Sequence, residues 1–223
     1  MKNTVHQSKA WAYITSFIMS FNGGYINSIC MLSILGIPVG YVTGNLTLSA
    51  EALHQSDFFK FLYLMSLVLC FLIGSITSGL LIKNQNFKMD HRYTLSIIFQ
   101  FLALGLAMIL LKDANPNGSY FLALTMGMQN AMTTHYGSAL IRTTHMTGTM
   151  TDLGVLISRW IKKEDIEYWK LFLYLSLISG FLSGAIAGAV FYGLFKALAL
   201  SVSFVFYGLM IAWPIFKKSE DLT

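Results

Sequence analysis

Six apolar stretches divide this chain, and they constrain its fold more than any other feature. Each is long enough to cross about 30 Å of hydrocarbon, which takes roughly 20 helical residues. Charged residues make up 11% of the 223, against about 25% in a typical globular domain. We therefore expect an all-α integral membrane protein in a lipid bilayer, with six transmembrane helices. The predicted crossings are 11–35, 58–82, 93–111, 120–140, 168–194 and 198–216.

Basic residues between the stretches predict the orientation, because Lys and Arg are retained in cytoplasmic loops. With both termini in the cytoplasm, twelve of the 15 Lys and Arg residues fall inside and only Lys60, Lys112 and Lys196 fall outside. The same bias accounts for the net charge of +5, so nucleic acid is not an expected partner.

The two halves of the sequence resemble each other. Asn27 and Asn130 each follow a glycine by three residues, and a Thr-Gly pair comes sixteen or seventeen residues later. The words FLIGSITS (71–78) and FLSGAIAG (181–188) match as well. Three crossings per half predict a single transmembrane domain, 1–223, of two inverted repeats, 9–112 and 119–217. Secondary transporters often have this plan, with a midplane site where the repeats meet.

Between the first two crossings of each repeat lies a segment too polar for a spanning helix and too apolar for an ordinary loop. These segments are 36–55 and 141–161. Each contains Thr-Gly followed by residues that favour a helix, which predicts a broken or re-entrant short helix with threonine as its N-cap. At membrane depth, the free N–H groups at such helix starts would suit an anion or a polar group. The alternative is that Thr-Gly caps helices lying at the membrane surface.

The predicted binding residues are polar or glycine positions in and around these segments. Thr133 and Thr134 are expected instead to join helices by hydrogen bonds. The candidate substrate-binding residues are Asn27, Thr43, Gly44, Asn45, Gln129, Asn130, His145, Thr147, Gly148, Thr149 and Asp152.

Each ionisable residue at membrane depth can be interpreted in two ways, as functional or as structural. Asp152 fits the first turn of a short helix, where the helix dipole favours a carboxylate. His135 and His145 fit proton coupling, or neutral side chains bonded to backbone carbonyls. Arg142 is interpreted first as a cytoplasmic anchor, and second as a guard that attracts anions to the cytoplasmic mouth.

Small residues four apart mark the second and fifth crossings. Gly74 and Ser78 match Gly184 and Gly188, a pattern that lets helices approach closely. We expect these two crossings to meet near the axis that relates the repeats. The same pattern also fits self-association into a homo-oligomer.

The words QNA (129–131) and TTHMTGTMTDLG (143–154), with GY (24–25) and VTGN (42–45), resemble the YoaK family of bacterial multi-pass membrane proteins. The likeness covers nearly the whole chain. It implies a multi-pass protein of the bacterial inner (plasma) membrane and brings no activity or cofactor with it. Asn27 stands where the resemblance implies an aspartate in many members, so any coupling through that carboxylate would have to pass to Asp152 or His145.

Two classes of function follow from these features. A transporter or channel for a small polar or anionic solute explains polar matches in both halves. A membrane-embedded enzyme would use His135, His145 and Asp152, but HExxH, GxSxG, cysteine-rich and nucleotide-loop spacings are all missing from the sequence. A structural or regulatory subunit of a membrane complex is a third interpretation. No catalytic residue, metal or cofactor is predicted.

Overall fold

The computed structural model describes residues 2–33, 35–82, 91–136 and 141–220. These residues are helical apart from the connections between elements. A short 3-10 helix, Lys196–Leu200, joins the last two α-helices. The α-helices are α1 (Lys2–Leu32), α2 (Val42–His54), α3 (Phe58–Leu81), α4 (His91–Lys112), α5 (Gly118–Tyr136), α6 (Met146–Ile161), α7 (Tyr168–Phe195) and α8 (Ser201–Glu220).

Three of the described stretches are long and apolar enough to cross a membrane. They are Phe58–Leu81, Arg92–Lys112 and Tyr168–Ala212, the last of which contains two predicted crossings joined by the 3-10 helix. Large apolar side chains such as Phe59 and Ile109 are exposed on their outer faces, as lipid contact requires. The prediction of an all-helical, membrane-like protein is thus confirmed, while six crossings and their orientation stay a prediction.

Helices α1 and α5 are less apolar than the three membrane-length stretches, because they carry polar side chains that face the interior of the bundle. Asn22, Asn27, Gln129 and Asn130 are all buried. The sequence predicts an interruption of the first crossing at 22–24, but α1 runs through these residues without a break. The reason is close packing: the glycines there face neighbouring chain segments instead of ending the helix. The prediction at 137–140, the end of the fourth crossing, lies outside the described residues.

Glycines make the two closest helix crossings, and each crossing joins one half of the chain to the other. A Cβ on Gly74 of α3 would collide with the Leu124 carbonyl of α5, and a Cβ on Gly127 of α5 with the Phe71 carbonyl of α3. The α1–α7 crossing repeats this arrangement. There, Gly24 meets the backbone of Phe181 and Gly184 meets that of Phe21.

The expected meeting of the second and fifth crossings is therefore wrong. Over the described residues, α3 packs on α5 and α7 packs on α1, and α3 and α7 share no contact. The small residues were correctly identified as packing surfaces, but Gly74, Gly184 and Gly188 face the first helix of the other half, and the Ser78 hydroxyl meets that of Ser96 in α4. The physical reason is that α1 and α5 present glycines of their own, Gly24 and Gly127, so both backbones can approach.

Helices α4 and α8 meet at a matched pair of aromatic rings. Phe101 and Phe204 stack with their ring centroids 4.0 Å apart. A Cβ on Gly105 would lie 3.0 Å from the ring of Phe204, and one on Gly208 would lie 3.5 Å from the ring of Phe101. Each of the two helices thus contributes a phenylalanine ring that packs on a glycine of the other helix.

Candidate functional site

A cavity of about 1090 Å³ lies between the two halves. Its wall comes from α1, α3, α5 and α7, together with the chain segments that lead into α2 and α6. Five of the predicted binding residues line it, drawn from both halves: Asn27, Thr43, Asn130, His145 and Thr147. Ligand sites in proteins commonly enclose about 300–1,000 Å³, so the space suits a small organic molecule.

The short helices predicted from Thr-Gly are present, but they begin one residue before the threonines. Tyr41 and His145 occupy the N-cap positions of α2 and α6, and neither side chain makes a capping hydrogen bond. Thr43 and Thr147, expected as N-caps, instead lie in the first turn. Their carbonyls accept hydrogen bonds from hydroxyls one turn later, at Thr47 and Thr151.

The two Thr-Gly glycines have a steric explanation. A Cβ on Gly44 would collide with the ring of Tyr41, and one on Gly148 with the ring of His145. The N-cap ring of each short helix therefore folds over the first turn, where only glycine leaves room. Gly44 and Gly148 shape the cavity wall by placing these rings, and neither lines the cavity itself.

Asn27 and Asn130 hold the two unwound segments against the helices. The Oδ1 atom of Asn27 accepts from the Gly40 N–H at 2.8 Å, and that of Asn130 accepts from the Thr144 N–H at 3.1 Å. Asn130 makes more contacts, since its Nδ2 donates to the Thr144 hydroxyl and to the Met126 carbonyl, both at 2.9 Å. Both asparagines thus combine a positioning role with a place in the cavity wall.

Gln129 is the centre of a buried polar network behind the cavity. Its Oε1 accepts from Asn22 Nδ2 at 2.8 Å and from the Tyr207 hydroxyl at 2.7 Å. Its Nε2 donates to the Met19 carbonyl and to the Thr143 hydroxyl, both at 2.9 Å. The side chain is fully buried and does not line the cavity. The network joins α1, α5, α8 and the segment before α6.

The remaining predicted residues lie away from the cavity. Asn45 donates to the Pro38 carbonyl at 3.2 Å, and Thr149 donates to the His145 carbonyl at 3.0 Å, so both stabilise the starts of the short helices. Asp152 is exposed in the second turn of α6, beyond the first turn in which the helix dipole acts. The prediction that it belongs to the first turn is wrong, because α6 begins at Met146.

Two expectations about α5 have different outcomes. Thr133 and Thr134 were predicted to join helices, but their hydroxyls donate to carbonyls within α5, including a 2.7 Å bond from Thr134 to Asn130. Such bonds satisfy the hydroxyl without linking a neighbour. The side chain of His135 lies outside the described residues.

Charge in the cavity wall is positive. Arg142 lines the cavity, its side chain is exposed, and its guanidinium has no ion-pair or hydrogen-bond partner in the described parts of the chain. None of the described lining residues is Asp or Glu. Over the same residues, no three His, Cys, Asp or Glu side chains are grouped so that they could hold a metal ion.

A family model described as "Protein of unknown function (DUF1275)" matches residues 15–213, nearly the whole chain. The chain belongs to this family. The resemblance found from the motif words is thereby confirmed, since the YoaK-like proteins fall within DUF1275. No curated protein and no solved structure matches the chain.

Sequence reasoning about this DUF1275 protein undervalued four cavity residues. Arg142 was interpreted mainly as an anchor, Thr134 was expected to join helices, and Tyr41 and Thr144 were not singled out, yet all four line the cavity. The sequence did contain a signal for Tyr41 and Thr144. GYVTGN (40–45) aligns with THMTGT (144–149), so Tyr41 corresponds to His145 and Gly40 to Thr144. Extending the repeat by three residues before Thr-Gly would have identified both.

Proposed function

We propose that this protein is a transporter or channel for a small polar or anionic solute, which it binds in the cavity between its halves. The observation that carries the proposal is that equivalent residues of the two halves line the same cavity. The pairs are Asn27 with Asn130, Tyr41 with His145, and Thr43 with Thr147. A carrier with inverted repeats needs such a shared site, whereas an enzyme usually concentrates its chemistry in one half.

Reciprocal packing supports the inverted-repeat part of the proposal. The α1–α7 crossing matches the α3–α5 crossing glycine for glycine, and α4 and α8 exchange the same ring contact. Contacts of this kind are expected when a two-fold axis relates the halves. With three crossings in each half and both termini in the cytoplasm, that axis would lie in the membrane plane.

Threonine-to-valine substitutions test the proposal without disturbing the packing. Thr43→Val and Thr147→Val remove a cavity hydroxyl but keep the carbonyl that accepts the bond from the next turn. Thr151→Val is the matched control, because Thr151 is exposed on the same helix and does not line the cavity.

The assay is stopped-flow osmotic shrinkage and recovery of proteoliposomes challenged with a panel of small polar and anionic solutes. We expect wild-type protein to accelerate recovery for at least one class, both cavity variants to slow it several-fold, and Thr151→Val to match wild type. Vesicles with folded wild-type protein that stay as tight as empty liposomes toward every solute would refute the proposal.

A further inference from the structure

The two equivalent asparagines differ in one respect that points to a ligand. Both Nδ2 donors of Asn130 are used by the protein, whereas Asn27 makes one described hydrogen bond, through Oδ1, and its Nδ2 has no partner among the described residues. The cause is local: Gly40 stands where the second half has Thr144, whose hydroxyl accepts the bond from Asn130.

The unpartnered amide belongs to a buried side chain in the cavity wall. Asn27 is only 7% exposed, and it lines the cavity. The Nδ2 atom of Asn27 is not fully enclosed, so this donor is part of the small surface that the residue still exposes. A buried amide donor without a protein acceptor is costly unless water or a ligand supplies the acceptor.

The surroundings of Asn27 favour an acceptor that carries negative charge. Arg142 lines the same cavity with a guanidinium that has no partner in the described ranges, and no Asp or Glu of the described wall opposes it. The first turns of α2 and α6 open onto the cavity through Thr43 and Thr147, and neither helix start is capped by a side chain. Free N–H groups at helix starts add partial positive charge to the same space.

Most of the wall is nevertheless apolar. Phe71 and Phe181, which begin the matching words of the two halves, both line it, as do other apolar residues of α1 and α3 such as Met31 and Leu72. A hydrated inorganic ion would gain nothing from these side chains. A molecule with an anionic head and an apolar body would contact both kinds of surface.

We propose that the cavity binds an organic anion, a carboxylate or sulfonate with an apolar body, whose head accepts hydrogen bonds from Asn27 Nδ2 and the Arg142 guanidinium. The inference rests on the proposed function in taking this cavity as the solute site, and it names the class of solute. Charge on the head and apolar area on the body are both required for binding.

Two probes of nearly equal shape test the role of charge. Benzenesulfonate is a permanent anion that does not leak across bilayers as a neutral acid, and benzenesulfonamide is its uncharged counterpart. Binding to purified full-length protein in detergent is measured by isothermal calorimetry and by the shift in thermal unfolding. We expect benzenesulfonate to bind at least tenfold more tightly than benzenesulfonamide, and chloride at the same ionic strength not to compete.

Two variants test the role of the named side chains. Asn27→Asp keeps an oxygen to accept the Gly40 N–H but replaces the donors with negative charge. Arg142→Gln removes the cation from a side chain without a described partner, so it leaves the fold intact. Each variant removes a hydrogen bond to the charged head, so we expect each to lose roughly 10- to 100-fold in affinity. Asn117→Asp, in an exposed turn, is the matched control and keeps wild-type affinity.

The outcomes separate this inference from the proposed function. Equal affinity for the two probes, or wild-type affinity in both cavity variants, would overturn the organic-anion site. Benzenesulfonate flux that stays at the wild-type rate in both Asn27→Asp and Arg142→Gln would overturn the anion site and keep the carrier. Tight benzenesulfonate binding that both variants abolish, without flux of any solute in proteoliposomes, would keep the site and overturn the carrier.

Discussion

Gln129 offers the sharpest test of which polar residues stabilise the fold and which serve the cavity. The substitution Gln129→Met keeps an unbranched side chain of similar length and removes all four side-chain hydrogen bonds. Two of these bonds join Gln129 to Asn22 and Tyr207, and two join it to Met19 and Thr143. The loss falls on the packing of α1, α5 and α8, behind the cavity wall.

The expected cost follows from the number of bonds. Hydrogen bonds between helices in membranes average about 0.6 kcal/mol and reach about 1.7 kcal/mol. Four lost bonds, with the buried Tyr207 hydroxyl left without its acceptor, predict a loss of about 2 to 4 kcal/mol in the free energy of unfolding. Tyr207→Phe should cost about 1 to 2 kcal/mol, because its hydroxyl also accepts from Asn22 at 3.1 Å.

The assay is reversible unfolding in mixed micelles, with a double-mutant cycle on Gln129 and Tyr207. Their shared bond predicts a coupling of about 0.5 to 1.5 kcal/mol. Gln100→Met is the matched control. Gln100 is equally buried, but its Nε2 donates mainly within its own helix at 3.2 and 3.3 Å and its Oε1 has no partner, so this change should cost less than about 1 kcal/mol.

The reasoning fails on either of two results. Additive effects of Gln129→Met and Tyr207→Phe, with coupling below about 0.3 kcal/mol, would show that the 2.7 Å bond carries no stability. The second such result is a Gln129→Met protein that stays folded yet abolishes solute flux in proteoliposomes, which would move Gln129 from the packing into the solute path. We expect flux per folded molecule within twofold of wild type.

Three further predictions concern packing, the short helices and orientation. Gly74→Ala and Gly184→Ala should each lower the free energy of unfolding by about 1 to 3 kcal/mol, because the new methyl meets backbone, while Gly193→Ala, which meets nothing within 4 Å, should be neutral or stabilising in the same unfolding assay. Gly148→Ala should displace the His145 ring and weaken benzenesulfonate binding several-fold, whereas Gly154→Ala, with open space around it, should leave binding unchanged and stabilise α6 by up to about 1 kcal/mol. In a variant with Cys30 and Cys70 replaced by serine, a cysteine at Asp113 should react with an impermeant maleimide from the outside of intact cells and one at Lys162 only after lysis; the reverse pattern would refute the predicted orientation.

The helices could be predicted from the sequence because their cause is local. A run such as 58–81 has no polar residue that would end it, and the Thr-Gly words mark short helices that the structure contains. The predicted helix ends were less accurate where contact with a nearby side chain determines the residue at which a helix begins. The N-cap falls on Tyr41 instead of Thr43 because the tyrosine ring folds over Gly44, a contact that propensity does not express.

The site was predicted in part, for a similar reason. Repeat symmetry pointed to Asn27 and Asn130, which do line the cavity, but it could not tell Gln129 from its neighbour Asn130. The difference is rotational: adjacent residues on α5 are turned by about 100° from each other, so Gln129 reaches Tyr207 and Asn130 reaches the Thr144 hydroxyl. Which face of α5 borders the cavity depends on how α1 and α7 pack. That packing is determined by residues that are far apart in the sequence.

The exchange of partners between the halves has a consequence for how the chain is made. Helix α1 is synthesised before α7, yet its Gly24 surface packs on α7. Until about residue 188 has entered the bilayer, α1 lacks the helix on which its Gly24 surface packs. In the same way, α3 lacks its neighbour until α5 has been inserted. Assembly is therefore a late event, and two fragments separated at the 113–117 turn should reassemble when produced together in one cell.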